Sequence, residues 1–131
     1  MPIDQESAAV ALARALAEAW SHHDWDMARA MLAPDVHVTV TTTQPLMNPT
    51  DTTGIDDYME GLIKFAEPIE PDSAHVIGSC GDERNSLILL TVRTALGPNG
   101  EKVTLSAARL ALFDENQKLQ QERVIFFVVP D

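Results

Sequence analysis

The sequence predicts an α+β domain: a curved, mainly antiparallel sheet wrapped around N-terminal helices. Three observations carry this prediction. The last third holds three long runs, SLILLTVRTAL, KVTLSAARLALF and KLQQERVIFFVV, rich in Val, Ile, Leu, Thr and Phe and free of proline. Two turn signals separate them, Gly97-Pro98-Asn99-Gly100, whose Asn-Gly tolerates positive φ, and the polar Asp114-Glu115-Asn116-Gln117. Upstream, apolar residues recur at helical spacing, in segments suited to covering a concave face. Strands this long in a small chain imply a strongly curved sheet.

Taken in order, a first helix is expected over residues 5–21. Ala9, Leu12, Leu16, Ala19 and Trp20 form its apolar stripe, with Arg14 and Glu18 off it. Ser21-His22-His23-Asp24 breaks the pattern, and Asp24 caps a second helix over 24–33 that turns Trp25, Ala28, Met31 and Leu32 inward until Pro34 stops it. Val36, Val38 and Val40 then alternate with His37, Thr39 and Thr41, a half-buried strand. The stretch TQPLMNPTDTTG, residues 43–54, has the composition of an irregular loop. Thr53 and Asp56 are spaced to open a third helix over 54–66, with Ile55, Tyr58, Met59, Leu62 and Ile63 buried. A shorter strand, Ala74 to Cys80, belongs at or near the sheet edge, and Gly81 to Asn85 turns into the long strands. The order is α-α-β-α-β-β-β-β, one domain across residues 1–131.

Composition narrows the function classes. The 131 residues are 45% hydrophobic, enough for one real core, and no window resembles a membrane span. Asp4 and Glu6 stand where a secretory signal would be basic, so a cytoplasmic protein is expected. Cys80 is the single cysteine, which excludes an intrachain disulfide, and no basic neighbour activates its thiol. The net charge of −11 repels nucleic acid and anionic membrane. His22 and His23 are adjacent and point apart, without further ligands at metal-binding spacing. There is no glycine-rich phosphate loop and no Ser-centred elbow, so neither metal nor cofactor is expected.

The candidate chemistry lies on the strands. Hairpin loops of two or four residues place Ile88, Leu90 and Val92 on one face with Leu105, Ala107, Arg109 and Ala111, and with Gln120, Glu122, Val124 and Phe126. Arg109 then falls opposite Glu122. Charges at the centre of apolar strands need partners, so the two form either an ion pair that only holds the sheet or a pocket acid positioned by an arginine. His37 and His75 stand on other strands, and either has the near-neutral pKa of a general base. A pocket is expected between the third helix and the sheet, lined by Trp20, Tyr58, Met59, Leu62 and Phe126. Such a lining suits an apolar small molecule. The other sheet face carries Leu87, Leu89, Leu110, Leu112, Ile125 and Phe127, too apolar for water, which points to a homodimer through it.

Several motifs resemble the nuclear transport factor 2-like superfamily, and within it the SnoaL-like polyketide cyclases and ketosteroid isomerases. They are Ala19-Trp20, Asp24-Trp25-Asp26 and Met31-Leu32-Ala33-Pro34-Asp35-Val36 near the start. Asn99-Gly100-Glu101-Lys102-Val103, Phe113-Asp114 and Lys118-Leu119 follow in the hairpins. The resemblance implies a cystatin-like cone with a pocket inside and, as activity, an isomerase, cyclase or dehydratase acting on an apolar carbonyl compound; the alternative is a non-catalytic ligand-binding or dimeric assembly domain. The family's catalytic positions do not carry over. The isomerase tyrosine falls at Leu16, its carboxylate at Val40 or Thr41, the cyclase aspartate within the apolar 124–129, and the Asp-Arg-Asp relay of limonene epoxide hydrolases meets Arg109 but Ala111.

Overall fold

Ser7 opens the chain's first helix, its hydroxyl accepting from the Val10 N–H at 3.2 Å. The structure is a computed structural model and describes residues 6–42, 50–95 and 99–127. Helix α1 (Ala8–Ser21) buries Ala9, Ala13, Leu16, Ala17 and Trp20 against the sheet. Asp24 caps α2 (Trp25–Ala30). The chain continues through β1 (Leu32–Thr42), β2 (Thr50–Thr53), α3 (Ile55–Ala66), β3 (His75–Gly81), β4 (Asn85–Thr94), β5 (Val103–Phe113) and β6 (Leu119–Phe127). The strands form one open, curved sheet in the order β2-β1-β6-β5-β4-β3, antiparallel except for the parallel pair β1–β6. The helices cover its concave face. This is the expected α+β class, with β3 at the expected edge.

The differences have local causes. The second helix ends at Ala30 rather than 33, because Leu32 already pairs with Leu119 of β6, and Met31 C=O accepts from Leu119 N–H at 2.7 Å. Pro34, which has no N–H, sits at the irregular step of that ladder between Leu32 and His37. Within the expected loop, Thr50 to Thr53 form a strand paired with Val40 to His37, as β-branched residues favour; residues 43–49 lie outside the described residues, as do residue 5, the Gly97-Pro98 half of the first turn, and 128–131. Thr53 therefore does not cap α3. Gly54 does, at φ 100°, and its N–H donates to Val36 C=O at 2.8 Å. Ile63 is 40% exposed, since the buried stripe of α3 runs through Tyr58, Met59, Leu62 and Ala66.

The β5–β6 register is the consequential correction. Arg109 pairs with Val124, and Glu122 with Ala111, so the two charges are diagonal neighbours on the same face rather than opposite. The loop runs from Asp114 to Lys118, one residue longer than a four-residue turn, and Gln120 is a bulge between Phe113–Leu119 and Leu112–Gln121. Two single-residue shifts leave every later side chain on its expected face. Gln120 itself leaves the inner row, and Leu119 takes the fully buried place. At the β3–β4 turn, Gly81 is required by packing, because a Cβ there would lie 2.3 Å from Asn85 O and 3.1 Å from Val10 of α1.

Candidate functional site

The inward alternation of the long strands brings two charges under the helices. Arg109 and Glu122 side chains are 6% and 3% exposed. Arg109 Nε donates to Glu122 Oε2 at 3.0 Å, and Nη2 donates to Oε1 at 2.9 Å, a two-pronged pair. Tyr58, projecting from the buried stripe of α3, donates its hydroxyl to Oε1 at 2.7 Å. The Arg109 guanidinium also lies over the Trp20 ring, 5.4 Å from its centroid. Trp20 meets Phe65 edge-on at 5.5 Å, and Phe65 packs on Phe126 at 4.9 Å. A helix residue, two strand residues and an aromatic support thus form one buried cluster.

The cluster forms part of the wall of a cavity of about 430 Å3 between α3 and the concave sheet. Val38 and Val40 of β1, Val124 and Phe126 of β6, and Leu62 and Phe65 of α3 make the rest of the deep lining. Thr50 and Thr52 of β2, with Gly61, Lys64 and Pro68, complete it. The size suits one small organic ligand, and the polar groups of the deep wall are concentrated in Tyr58, Arg109 and Glu122. On the other side of Arg109 and Glu122 is a void of only about 10 Å3, bounded by Trp20, Leu16 and Phe113. Trp20 Nε1 and Arg109 Nη1 are buried without a hydrogen-bond partner.

Burial, and then the charge of Glu122, push the Tyr58 phenol well above its ordinary value of 10.0. Tyr58 is therefore a neutral donor. Burial opposes the charge on Arg109, but Glu122 and then Tyr58 outweigh it, holding the guanidinium above the ordinary arginine range. Glu122 Oε1 accepts two of the three bonds and Oε2 one, so Oε2 retains acceptor capacity.

Among the sequence-derived candidates, Arg109, Glu122, Tyr58, Leu62 and Phe126 meet at this cavity. Trp20 supports Arg109 from beneath, and Met59 is buried in the core without lining the cavity. The two histidines do not join them. His37 pairs with Gln121 of β6 on the outward face and contacts Asp51. His75 lies exposed on the edge strand, paired with Thr91. His22 contacts Asp72, and His23 stacks on Trp25 at 5.1 Å. Among the described residues no group of three His, Cys, Asp or Glu is arranged to hold a metal, and no helix is long and apolar enough to cross a membrane. Phe65, Gly61 and Lys64 escaped the sequence reading. For Phe65 a signal existed, one helical turn beyond Leu62; for the rim residues there was none.

The family model of the SnoaL-like domain matches residues 13–121. The chain belongs to the SnoaL-like domain family. Comparison with curated proteins finds no match. Among solved structures, this SnoaL-like domain is similar to a Kribbella flavida protein at 21% identity and TM-score 0.73, covering 91% of this chain and 86% of that one. A protein with a cystatin-like fold, conserved in bacteria, from Silicibacter pomeroyi matches at 14% identity and TM-score 0.68, with 88% and 72% covered. A steroid Δ-isomerase from Pseudomonas aeruginosa matches at 15% and TM-score 0.67, with 95% and 83% covered. At such identities these likenesses show a common fold.

The lone tyrosine makes the cluster directly measurable. Its folded pKa is raised, so the unfolded chain releases the phenolic proton first; the stability this represents is present below about pH 10 and is lost as pH rises beyond it. Alkaline titration should show phenolate absorbance appearing together with loss of circular dichroism, and Tyr58→Phe should flatten the stability slope above pH 10. A phenol that ionises at its ordinary value while the fold stays native would contradict the buried cluster.

Proposed function

We propose that this SnoaL-like domain binds an apolar, carbonyl-bearing small molecule and catalyses a proton transfer on it, as an isomerase, cyclase or dehydratase does. The observation that supports this is the convergence of Tyr58, Glu122 and Arg109 on one wall of an otherwise apolar cavity. Catalysis needs a proton-accepting group and a donor aimed at the same space. Glu122 Oε2 accepts a proton from the carbon beside the carbonyl, which leaves an enolate. Arg109, cationic and lining the cavity, stabilises the oxygen on which the charge develops. Glu122 returns the proton at the new position. Tyr58 keeps Glu122 oriented, and the stacked Trp20 keeps Arg109 in place. His37 and His75 take no part in this scheme, since they stand away from the cavity.

A second reading rests on the same bonds. Glu122 already accepts three hydrogen bonds within the protein, an arrangement equally suited to a carrier that holds a ligand without turning it over. A panel of apolar cyclic ketones in heavy water separates the two. Ligands should raise the melting temperature, at saturation near a hundred times Kd by about 2.7 kcal/mol of stability. The enzyme reading expects deuterium to enter the ketone α-positions and expects Glu122→Gln to slow this by about a hundredfold or more with binding retained. Binding without exchange would leave the carrier, and stabilisation only by charged or phosphorylated compounds would overturn both.

The cytoplasm, a reducing compartment, suits the exposed Cys80. On the outer sheet face, Leu89, Leu110 and Ile125 are 37%, 43% and 37% exposed, in adjoining ladder rows with Leu87 and Ala108. A second copy of the chain packed on these rows would remove them from water, with Arg93 and Arg123 at the rim. Light scattering should give twice the 14.3 kDa chain mass, and Leu110→Glu should yield a folded monomer. A wild-type monomer at micromolar concentration would sink the dimer.

A further inference from the structure

Gly61 sits in the interior of α3, where glycine is the poorest helix former except proline. The fold gives no reason for it. A Cβ built at Gly61 meets nothing within 4 Å, in contrast to Gly81, where a Cβ would strike backbone. Gly61 is exposed and yet lines the cavity, which puts it on the cavity's rim. Lys64, three residues on, follows along the same helix face, and Pro68, just past the end of α3, also lines the cavity. Thr50 and Thr52, alternate residues of β2 and so on one face of it, also line the cavity and form the other lip of a slot. Lys64 holds its ammonium 3.1 Å from Glu60, with both side chains well exposed, at 74% and 64%. Such a solvated pair exchanges partners readily. The cation deep in the cavity, Arg109, is already committed to Glu122.

We propose that the slot between α3 and β2 is the ligand entrance, that Gly61 keeps it open, and that Lys64 on its lip receives the carboxylate of an amphipathic ligand. This rests on the cavity reading above and specifies its ligand class. The apolar body lies among the valines and phenylalanines, and an oxygen function reaches Tyr58, Glu122 and Arg109. The anionic end stays at the slot, where water and the Thr50 and Thr52 hydroxyls also solvate it. An anion carried inward would instead meet Glu122.

Calorimetric titration of the full chain with decanoate and with methyl octyl ketone, equal in carbon number, tests the proposal. The wild type should bind decanoate about five-fold more tightly, with the preference shrinking as salt is added. Lys64→Gln should abolish the preference by weakening decanoate about five-fold. Gly61→Leu should keep or raise the melting temperature, because leucine favours helix and the site is open, yet weaken both ligands by about ten-fold or more. A Gly61→Leu variant that melts lower and still binds normally would show a structural glycine and overturn the entrance. A decanoate preference that survives Lys64→Gln would overturn the carboxylate assignment. If the ketone binds and decanoate is not preferred, the cavity reading stands and this one fails; if neither binds the wild type, both fail.

Discussion

The buried pair of Arg109 and Glu122 is the constraint around which this structure is arranged. Two charges on the inner face of a sheet lose their hydration, and the loss is offset only by close geometry and further hydrogen bonds. The chain supplies these from three directions. The β5–β6 hairpin sets the two residues diagonally, a spacing that long side chains bridge; α3 brings the Tyr58 hydroxyl onto Oε1; and α1 lays the Trp20 ring under the guanidinium. Each element that touches the pair is thereby fixed relative to the others. Removing one partner would leave a bare charge in the core, at a cost of about 3–5 kcal/mol.

Stability alone does not account for such a pair, since well-packed apolar residues of similar volume usually serve a core as well or better. The pair borders the cavity of about 430 Å3, whose lining also includes Gly61, another residue the fold does not need. Residues that break a local rule without a structural gain tend to mark function. Here a buried ion pair and a mid-helix glycine do so on the walls of one cavity. The intervening lining of Val38, Val40, Val124, Phe65 and Phe126 is apolar and follows ordinary core rules.

Much of this was legible in the residues, for identifiable reasons. Strand alternation fixes faces, so Arg109, Glu122, Val124 and Phe126 could be placed together before any coordinates. Register was less legible, because the Gln120 bulge and the loop through Lys118 leave no mark in the alternation and shift the pairing by two. The outward direction of His37 was already implied by its alternation with Val36 and Val38. Strand β2, four residues of Thr and Asp with no buried side chain, offers no apolar period to detect. The rim formed by Gly61 and Lys64 is polar or bare and surfaces only when α3 and β2 are seen facing one space. Family motifs marked the fold and not the chemistry, since, apart from Arg109, the positions that carry catalysis in the relatives named by resemblance are apolar or threonine here.

The central claim is that the polar cluster is kept for a ligand rather than for the fold. Replacing it whole tests this most directly, with Arg109→Met, Glu122→Leu and Tyr58→Phe combined so that no buried charge or hydroxyl is orphaned. Chemical denaturation and ketone titration are then measured on the same protein. The account predicts a folded domain as stable as the wild type, or more stable by about 1–4 kcal/mol, that has lost its affinity for apolar ketones. A variant that is strongly destabilised, or one that binds ketones as the wild type does, would contradict it.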